Sequence, residues 1–206
     1  SGINGVLRPG IVHRLDKNTS GLMVVAKNGF IHNAMINIKI QKKYIAAVYG
    51  IYDEPAGAID DPIKRRPGSV MIRDITDKDD PDGKVCLTYY RSILEEKEKE
   101  ISLVEFILAT GRCHQIRVHS TSKGHPLVGD GLYGPNSDDN PNDSFPNSKE
   151  MDSIIGRQGL HAYSLTFEHP ENMHFVADLP EDMRALFPSL SEEFFHELLC
   201  KTDGLS

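Results

Sequence analysis

An aspartate in a charged, turn-rich segment is the first residue of this chain that could do chemistry. Asp16 lies in the run HRLDKNTSGL of residues 13–22, two positions after Arg14 and next to Lys17. Neighbouring cations favour the ionised form of a carboxyl group, so Asp16 can act as a nucleophile or a general base at neutral pH. The structural alternative is a turn aspartate that hydrogen-bonds to its own backbone.

The residues around Asp16 predict a strand, a tight loop and a second strand. Ile11 and Val12 lead into the loop, the turn-forming residues 18–21 close it, and the apolar run 22–26 leads out. This pattern predicts that Asp16 lies at the end of a strand.

The rest of the chain alternates strand-like and helix-like patterns. Residues 101–108 are apolar on both faces, which is typical of a central strand. The predicted strands are 44–52, 58–63, 70–73, 85–94, 101–108, 159–168 and 175–179. The predicted helices are 29–39, 115–123, one that opens at 179–183, and 192–200. Residues 135–150 are rich in Pro, Asn, Asp and Ser and predict a mobile loop.

Composition limits the class of protein. No apolar run approaches the ~18 residues that a membrane span needs, and the N-terminus has no signal-peptide pattern, so a cytoplasmic protein is expected. Three cysteines without paired spacing predict neither a disulfide framework nor a zinc knuckle. The net charge is −7, yet residues 1–134 carry 19 basic against 16 acidic side chains. The acidity lies in the tail, which leaves room for an RNA-binding surface on the first part.

Three motifs together resemble one enzyme family. HRLDKNTSGL is followed by KKYIAAVYG at 42–50 and by GRCHQIRVHSTSKGHPLVGDGLYG at 111–134. In this order they resemble the RluA-type RNA pseudouridine synthases. The resemblance implies an α+β fold with a mixed, mostly antiparallel β-sheet and flanking helices. It also implies a single catalytic domain over 1–206, without the N-terminal strands and the RNA-binding module that family members carry upstream.

The resemblance also implies roles for particular residues. The catalytic residues would be Asp16, Tyr44, which stacks on the target base, and Arg117, which pairs with the catalytic aspartate. Arg14 would fill the space left by the flipped nucleotide, and Ile116 would be an apolar wall. The segment 124–134 is expected to be structural. A basic run at the tip of a hairpin would reach into an RNA groove through Lys64, Arg65 and Arg66. The nearby acidic run 77–82 is expected to turn away from the RNA.

The implied function is the isomerisation of specific uridines in ribosomal or transfer RNA to pseudouridine, by base flipping and cleavage and re-formation of the glycosidic bond. Such an isomerisation needs no cofactor and no metal, and a monomer is expected. The alternative is a non-catalytic RNA-binding module or RNA-folding aid with the same fold. A hydrolase triad of Ser20, His13 and Asp16 lacks a GxSxG context. A metal site from His114, His119 and Asp130 has no recognised spacing.

Overall fold

The computed structural model describes residues 10–168 and 171–201. Its strands are β1 (Gly10–Ile11), β2 (Ser20–Gly21), β3 (Val25–Ala26), β4 (Gln41–Tyr49), β5 (Ala56–Ile59), β6 (Ile63–Arg65), β7 (Arg73–Ile75), β8 (Thr88–Glu96), β9 (Ile101–Leu108), β10 (Leu160–Phe167) and β11 (Met173–Val176). Its helices are α1 (Gly29–Met35), α2 (Gln115–Ser122), α3 (Ser148–Ile155), α4 (Glu181–Leu186) and α5 (Glu192–Lys201). None of the helices within these ranges is long and apolar enough to cross a bilayer.

One large sheet organises the molecule. Its strand order is β11-β10-β4-β9-β8-β5, with all of these neighbours antiparallel, and β2 joins β10 in parallel. Two small antiparallel pairs, β1–β3 and β6–β7, stand outside it. The predicted α+β class with a mixed, mostly antiparallel sheet is confirmed, and so is the central position predicted for 101–108.

The period-two alternation of strand β4 places one hydrophobic core on each side of the large sheet. Tyr44, Ala46 and Val48 face one side of the sheet, where Ile116 of α2 joins them. Ile45, Ala47 and Tyr49 face the other side, where residues of α3, α4 and α5 pack. Successive side chains of a strand point to opposite faces, so a strand that is apolar throughout must be covered on both. The candidate site lies on the α2 side.

The predictions for residues 58–73 were wrong in their boundaries. Ser69 accepts hydrogen bonds from the backbone nitrogens of Met71 and Ile72 and holds this segment in a turn. Val70 is therefore exposed in the connection between β6 and β7 and not paired in a strand. The residues Lys64 and Arg65 lie in β6 itself, paired with β7, and not at the tip of the hairpin.

A helix was missed at the end of the polar segment 135–150. Helix α3 begins at Ser148, and its Asp152 accepts a hydrogen bond from the Tyr49 hydroxyl at 2.5 Å. Phe145, just before the helix, packs on the Tyr49 ring with centroids 5.0 Å apart. Because residues 135–147 are mostly polar, the sequence did not indicate that Phe145 and Asp152 attach this segment to Tyr49. The mobility of the loop stays a prediction.

Gly21 permits a close approach between the site loop and strand β10. Its φ is +110°, and a Cβ atom would lie 2.2 Å from the carbonyl oxygen of Ala162. We expect Gly21→Ala to lower the free energy of unfolding by at least ~2 kcal/mol, since both the backbone strain and the clash would apply.

Gly68→Ala is the matched control for Gly21→Ala. Gly68 also has a positive φ, +77°, but open space where Cβ would lie. We expect a loss of only ~1 kcal/mol there, from the left-handed backbone alone. Urea unfolding of both variants measures the difference, and equal losses would contradict the clash at Ala162.

Candidate active site

Asp16 lies in a loop. The prediction that it lies at the end of a strand was wrong. The strands are shorter than the sequence pattern indicated: β1 ends at Ile11, and β2 begins only at Ser20. The intervening residues form a turn in which the Thr19 nitrogen donates to the Asp16 carbonyl at 2.9 Å. The backbone carbonyl of Asp16 thus closes the turn, while its carboxylate is left for another partner.

The loop is fixed to strand β10. The Leu22 nitrogen donates to the Ala162 carbonyl at 2.8 Å, and the Ser20 hydroxyl lies 2.9 Å from Nδ1 of His161. The Gln158 amide adds a bond to the Thr19 hydroxyl at 3.1 Å. These bonds hold the Asp16 loop against strand β10 of the large sheet and the residues just before it, which is the rigid support a reacting group needs.

His161 makes this support sensitive to pH. Burial lowers its pKa to about 4, below the ~6.5 of an exposed imidazole. The folded state then binds fewer protons than the unfolded chain, so stability is kept above pH ~6.5 and lost as the pH falls towards 4. Between about pH 7 and about pH 4.5 this loss is about 2 kcal/mol, and we expect His161→Asn to abolish it. Urea unfolding at about pH 7 and about pH 4.5 measures it, and an equal pH dependence in both proteins would contradict it.

Helix α2 brings Arg117 to Asp16. Arg117 is buried, and its Nη1 lies 3.5 Å from Oδ2 of Asp16. Its other nitrogens make a tighter, bidentate pair with Asp130, both at 2.6 Å. The structure therefore brings Arg117 to Asp16 as predicted. It also adds a second carboxylate, from the segment 124–134 that was expected to be structural. Asp130 holds the guanidinium in place because a planar fork matches a carboxylate in two bonds.

Gln115 sets the start of helix α2. Its side-chain oxygen accepts from the Arg112 nitrogen and the Thr110 hydroxyl, both at 2.9 Å, and its amide donates to the Thr88 hydroxyl at 2.9 Å. His114, just before the helix, has the left-handed φ of +58°. A non-glycine residue in this conformation is uncommon and occurs often at functional sites.

Tyr133 joins the site to the β6–β7 hairpin. The Arg117 guanidinium lies over its ring at 4.9 Å. Its hydroxyl accepts from the Arg73 nitrogen and lies close to Nδ1 of His114, each at 2.9 Å. Burial, followed by the Arg117 charge, lowers the pKa of His114, so this imidazole is neutral at physiological pH.

Asp16, His114, Gln115 and Arg117 line a cleft of about 260 Å³ that is open to solvent. Tyr44 forms one wall, and burial, followed by the Asp16 charge, raises its pKa to about 12. Ile116 is buried behind the cleft and Arg14 is exposed on its lining. Asp16, Tyr44, Arg117, Arg14 and Ile116 are thus brought together as the resemblance implied.

Lys42 also lines the cleft and was not predicted. It lies two positions before Tyr44 on strand β4, so both side chains point to the same face. Burial lowers its pKa. That spacing is the signal that could have identified Lys42 from the sequence.

The basic run of the hairpin is not brought into the cleft. Lys64 donates to Asp80 at 2.5 Å, and Arg66 pairs with Asp74 and Asp139. Asp80 of the acidic segment 77–82 thus folds back onto the basic hairpin. That this segment turns away from the RNA stays a prediction. Arg65 is exposed. Together with other basic residues it lines a depression that shares two residues with the cleft, Arg112 and Cys113.

The structure forms neither the His114–His119–Asp130 metal site nor the Ser20–His13–Asp16 triad. Both ring nitrogens of His119 are engaged, one by the Thr88 hydroxyl and one by the Asp61 carbonyl, which excludes the His114–His119–Asp130 metal site. Ser20 contacts His161, whereas Nε2 of His13 accepts from the Val24 nitrogen. A serine hydrolase triad is therefore absent around Asp16.

Comparison with known sequences decides the family. The profile of the family described as RNA pseudouridylate synthase matches residues 2–122. The chain belongs to the RNA pseudouridylate synthase family. The resemblance of the three motifs is confirmed, and the matched residues include Asp16, Tyr44 and Arg117.

Individual relatives agree with the family assignment. The chain is 43% identical over 197 residues to the Bacillus subtilis RNA pseudouridine synthase YlyB, covering 92% of this chain and 58% of that protein. It is 40% identical over 197 residues to ribosomal large subunit pseudouridine synthase D of Zymomonas mobilis, covering 92% and 59%. The chain thus spans about 60% of the length of these pseudouridine synthases.

A solved structure supports the fold. The human RNA pseudouridylate synthase domain containing 1 superposes with a TM-score of 0.72 at 24% identity, covering 95% of this chain and 81% of that one. The similarity in fold therefore extends beyond the residues matched by the family profile, which end at 122.

Proposed function

We propose that this protein isomerises uridine to pseudouridine in structured RNA, either ribosomal or transfer RNA. One observation carries the proposal: the Asp16 carboxylate faces a cleft between Tyr44 and a buried Arg117, within residues that match the pseudouridylate synthase family. The relatives named ribosomal large subunit pseudouridine synthase D favour a site in ribosomal RNA.

The reaction breaks the bond from the ribose C1′ to N1 of uracil, turns the base, and joins C1′ to C5. N1 gains a proton and C5 loses one, so atoms and charge balance without a cofactor. The Asp16 carboxylate either attacks C1′ or removes a ribose proton; both routes need an ionised oxygen close to the sugar. The protein acts as a cytoplasmic monomer in this proposal.

Arg117 and Asp130 serve to position Asp16. The guanidinium is held by two bonds to Asp130, so its Nη1 presents a fixed positive charge to Asp16 at 3.5 Å. A preorganised charge of this kind favours the carboxylate and directs it without reorganisation during the reaction. Arg117 needs the second carboxylate because a buried guanidinium with one distant partner would be poorly compensated.

The target base must leave its stack to reach Asp16. Every base offers an aromatic face, and Tyr44 in the cleft wall can stack on it. Arg14 lies on the exposed lining, where its guanidinium plane can take the place of the flipped base and contact phosphate. The depression beside the cleft continues the path for the RNA backbone and is lined by Arg65, Arg73, Lys84 and Arg112.

Replacing Tyr44 separates stacking from proton transfer. We expect Tyr44→Leu to weaken productive RNA binding by ~5- to 150-fold, the cost of losing ~1–3 kcal/mol of base stacking. Tyr44→Phe keeps the ring and should bind RNA as the wild type does. Burial and the Asp16 charge raise the pKa of Tyr44, which disfavours a phenolate base at neutral pH. Single-turnover rates over a range of RNA concentrations measure both. Equal binding by the Leu and Phe variants would exclude a stacking role.

The proposed function is tested by looking for the product. Ribosomal and transfer RNA are incubated with the protein at its full native length and analysed for pseudouridine by mass spectrometry after chemical labelling. We expect conversion at defined uridines. RNA binding without any product would favour the non-catalytic RNA-binding module instead.

A further inference from the structure

A cysteine and a histidine lie beside Asp16 and have no part in the proposed isomerisation. One ligand atom each from Asp16, Cys113 and His114 lies within 4.8 Å of the others. All three residues line the cleft. Cys113 is half-buried and carries a free thiol. The cleft therefore holds a thiol, an imidazole and a carboxylate close together.

The chemistry of the three donors is that of a zinc site. Thiolate sulfur, imidazole nitrogen and carboxylate oxygen all bind Zn²⁺, and three protein ligands with an open fourth position are typical of accessible zinc sites. Tetrahedral bonds of ~2.0–2.3 Å place ligand atoms roughly 3.3–3.8 Å apart. The observed spacing of up to 4.8 Å needs a contraction of about 1 Å. Rotation of the half-buried Cys113 side chain can supply part of it.

The surroundings of the cluster fit a metal. The Tyr133 hydroxyl lies 2.9 Å from Nδ1 of His114, so coordination through Nε2 would leave this bond intact. A partner on the second ring nitrogen orients a metal-binding histidine.

The positive charge of Arg117 disfavours the binding of a cation at this site. Its Nη1 lies 3.5 Å from Asp16, but its tight bonds go to Asp130. Asp16 can therefore move to a metal without leaving the guanidinium uncompensated. The nearby positive charge makes the site weaker than a structural zinc site, so binding would be reversible.

We propose that Asp16, Cys113 and His114 form an inhibitory zinc site in which the bound metal occupies the Asp16 carboxylate. The thiol binds as a thiolate and releases its proton to solvent, with no change of oxidation state. Metal binding at these three residues does not depend on the proposed function. The inhibition rests on that function, because it requires Asp16 to be the reacting group.

Cobalt tests the binding step. Co²⁺ is added to the metal-free protein at full native length, and the sulfur-to-cobalt charge-transfer band in the near ultraviolet is recorded; Zn²⁺ affinity is measured by calorimetry. We expect one equivalent of Co²⁺ to produce the band in the wild type. Cys113→Ser should lose the band and bind Zn²⁺ at least ~10-fold more weakly. Cys86→Ser is the control, since Cys86 is buried and its thiol donates to the Lys84 carbonyl; it should behave as the wild type. No band, or a band that survives in Cys113→Ser, would overturn the proposal.

Zinc titration of the conversion assay tests the inhibition, with each protein normalised to its own metal-free rate. We expect Zn²⁺ to inhibit the wild type at concentrations at least ~10-fold lower than those that inhibit Cys113→Ser. Equal inhibition of both proteins would overturn an inhibitory role for the site. A metal-free wild type without product would count against the proposed function alone, since the cobalt band still decides the metal site.

Discussion

Asp16→Asn is expected to reduce the rate of pseudouridine formation by at least ~10²- to 10⁴-fold, the range that a positioned proton-transfer group contributes. The amide has nearly the shape of the carboxylate but neither its charge nor its basicity. The turn would persist, because it is closed by the backbone carbonyl of Asp16 and not by its side chain. The loss should therefore fall on the chemical step, measured as a single-turnover rate at saturating RNA.

RNA binding provides the internal control for this variant. Removal of a negative charge from a cleft that receives RNA should leave the affinity unchanged or raise it slightly. Asp53→Asn makes the same chemical change at an exposed position after strand β4 and should keep the wild-type rate. If Asp16→Asn converts uridine at a rate near that of Asp53→Asn, the carboxylate is not the reacting group.

Arg117→Met is expected to be the most destabilising replacement in the site. It would leave the Asp130 carboxylate, whose side chain is fully buried, without its cation. Breaking one side of a buried ion pair costs roughly 3–5 kcal/mol, because the remaining charge is uncompensated. The same change removes the positive group 3.5 Å from Asp16. Both the free energy of unfolding and the turnover rate should fall.

The double variant Arg117→Met/Asp130→Asn separates these two effects. With both charges gone, and with the amide oxygen still able to accept from the backbone nitrogens of Leu132 and Tyr133, the pair should recover most of the lost stability. Activity should stay low, since Asp16 still lacks its partner. Urea unfolding and single-turnover rates on the single and double variants give the comparison. A double variant that regains activity together with stability would show that Arg117 has only a structural role.

The sequence predicted the fold well where the pattern is set by burial. Strand β9 is apolar on both faces, and it lies between β4 and β8 as that pattern indicates. Helix α2 was predicted within one residue of its observed end, because Gly124 stops the helical pattern. Long elements that cross the core carry enough apolar side chains to define their period.

Elements held by a few polar bonds were predicted less well. The turn after β6 depends on the Ser69 hydroxyl, which accepts from backbone nitrogens two and three residues later. Helix α3 depends on the Asp152 carboxylate, which accepts hydrogen bonds from Tyr49 and Asn136. The partners of Asp152 are distant in sequence, so no local pattern contains them. The ion pairs that hold the basic hairpin to its acidic neighbours were missed for the same reason.

The candidate site, like the fold, was predicted only in part. The types and order of Asp16, Tyr44 and Arg117 were enough to recognise a family and to imply that they meet. The role of Asp130 was missed because its bonds to Arg117 join two segments across the turn after α2. An acidic residue in a glycine-rich turn can be identified from the sequence. Its partner cannot, because the partner depends on how that turn packs against the helix.

The most direct test of the account is the release of tritium from RNA labelled at C5 of uracil. Joining C1′ to C5 must expel the hydrogen at that carbon, so each pseudouridine formed should release one tritium to water. We predict stoichiometric release by the wild type and none above background by Asp16→Asn, although both bind the RNA. Binding without release by the wild type, or equal release by both proteins, would contradict an isomerisation that depends on the Asp16 carboxylate.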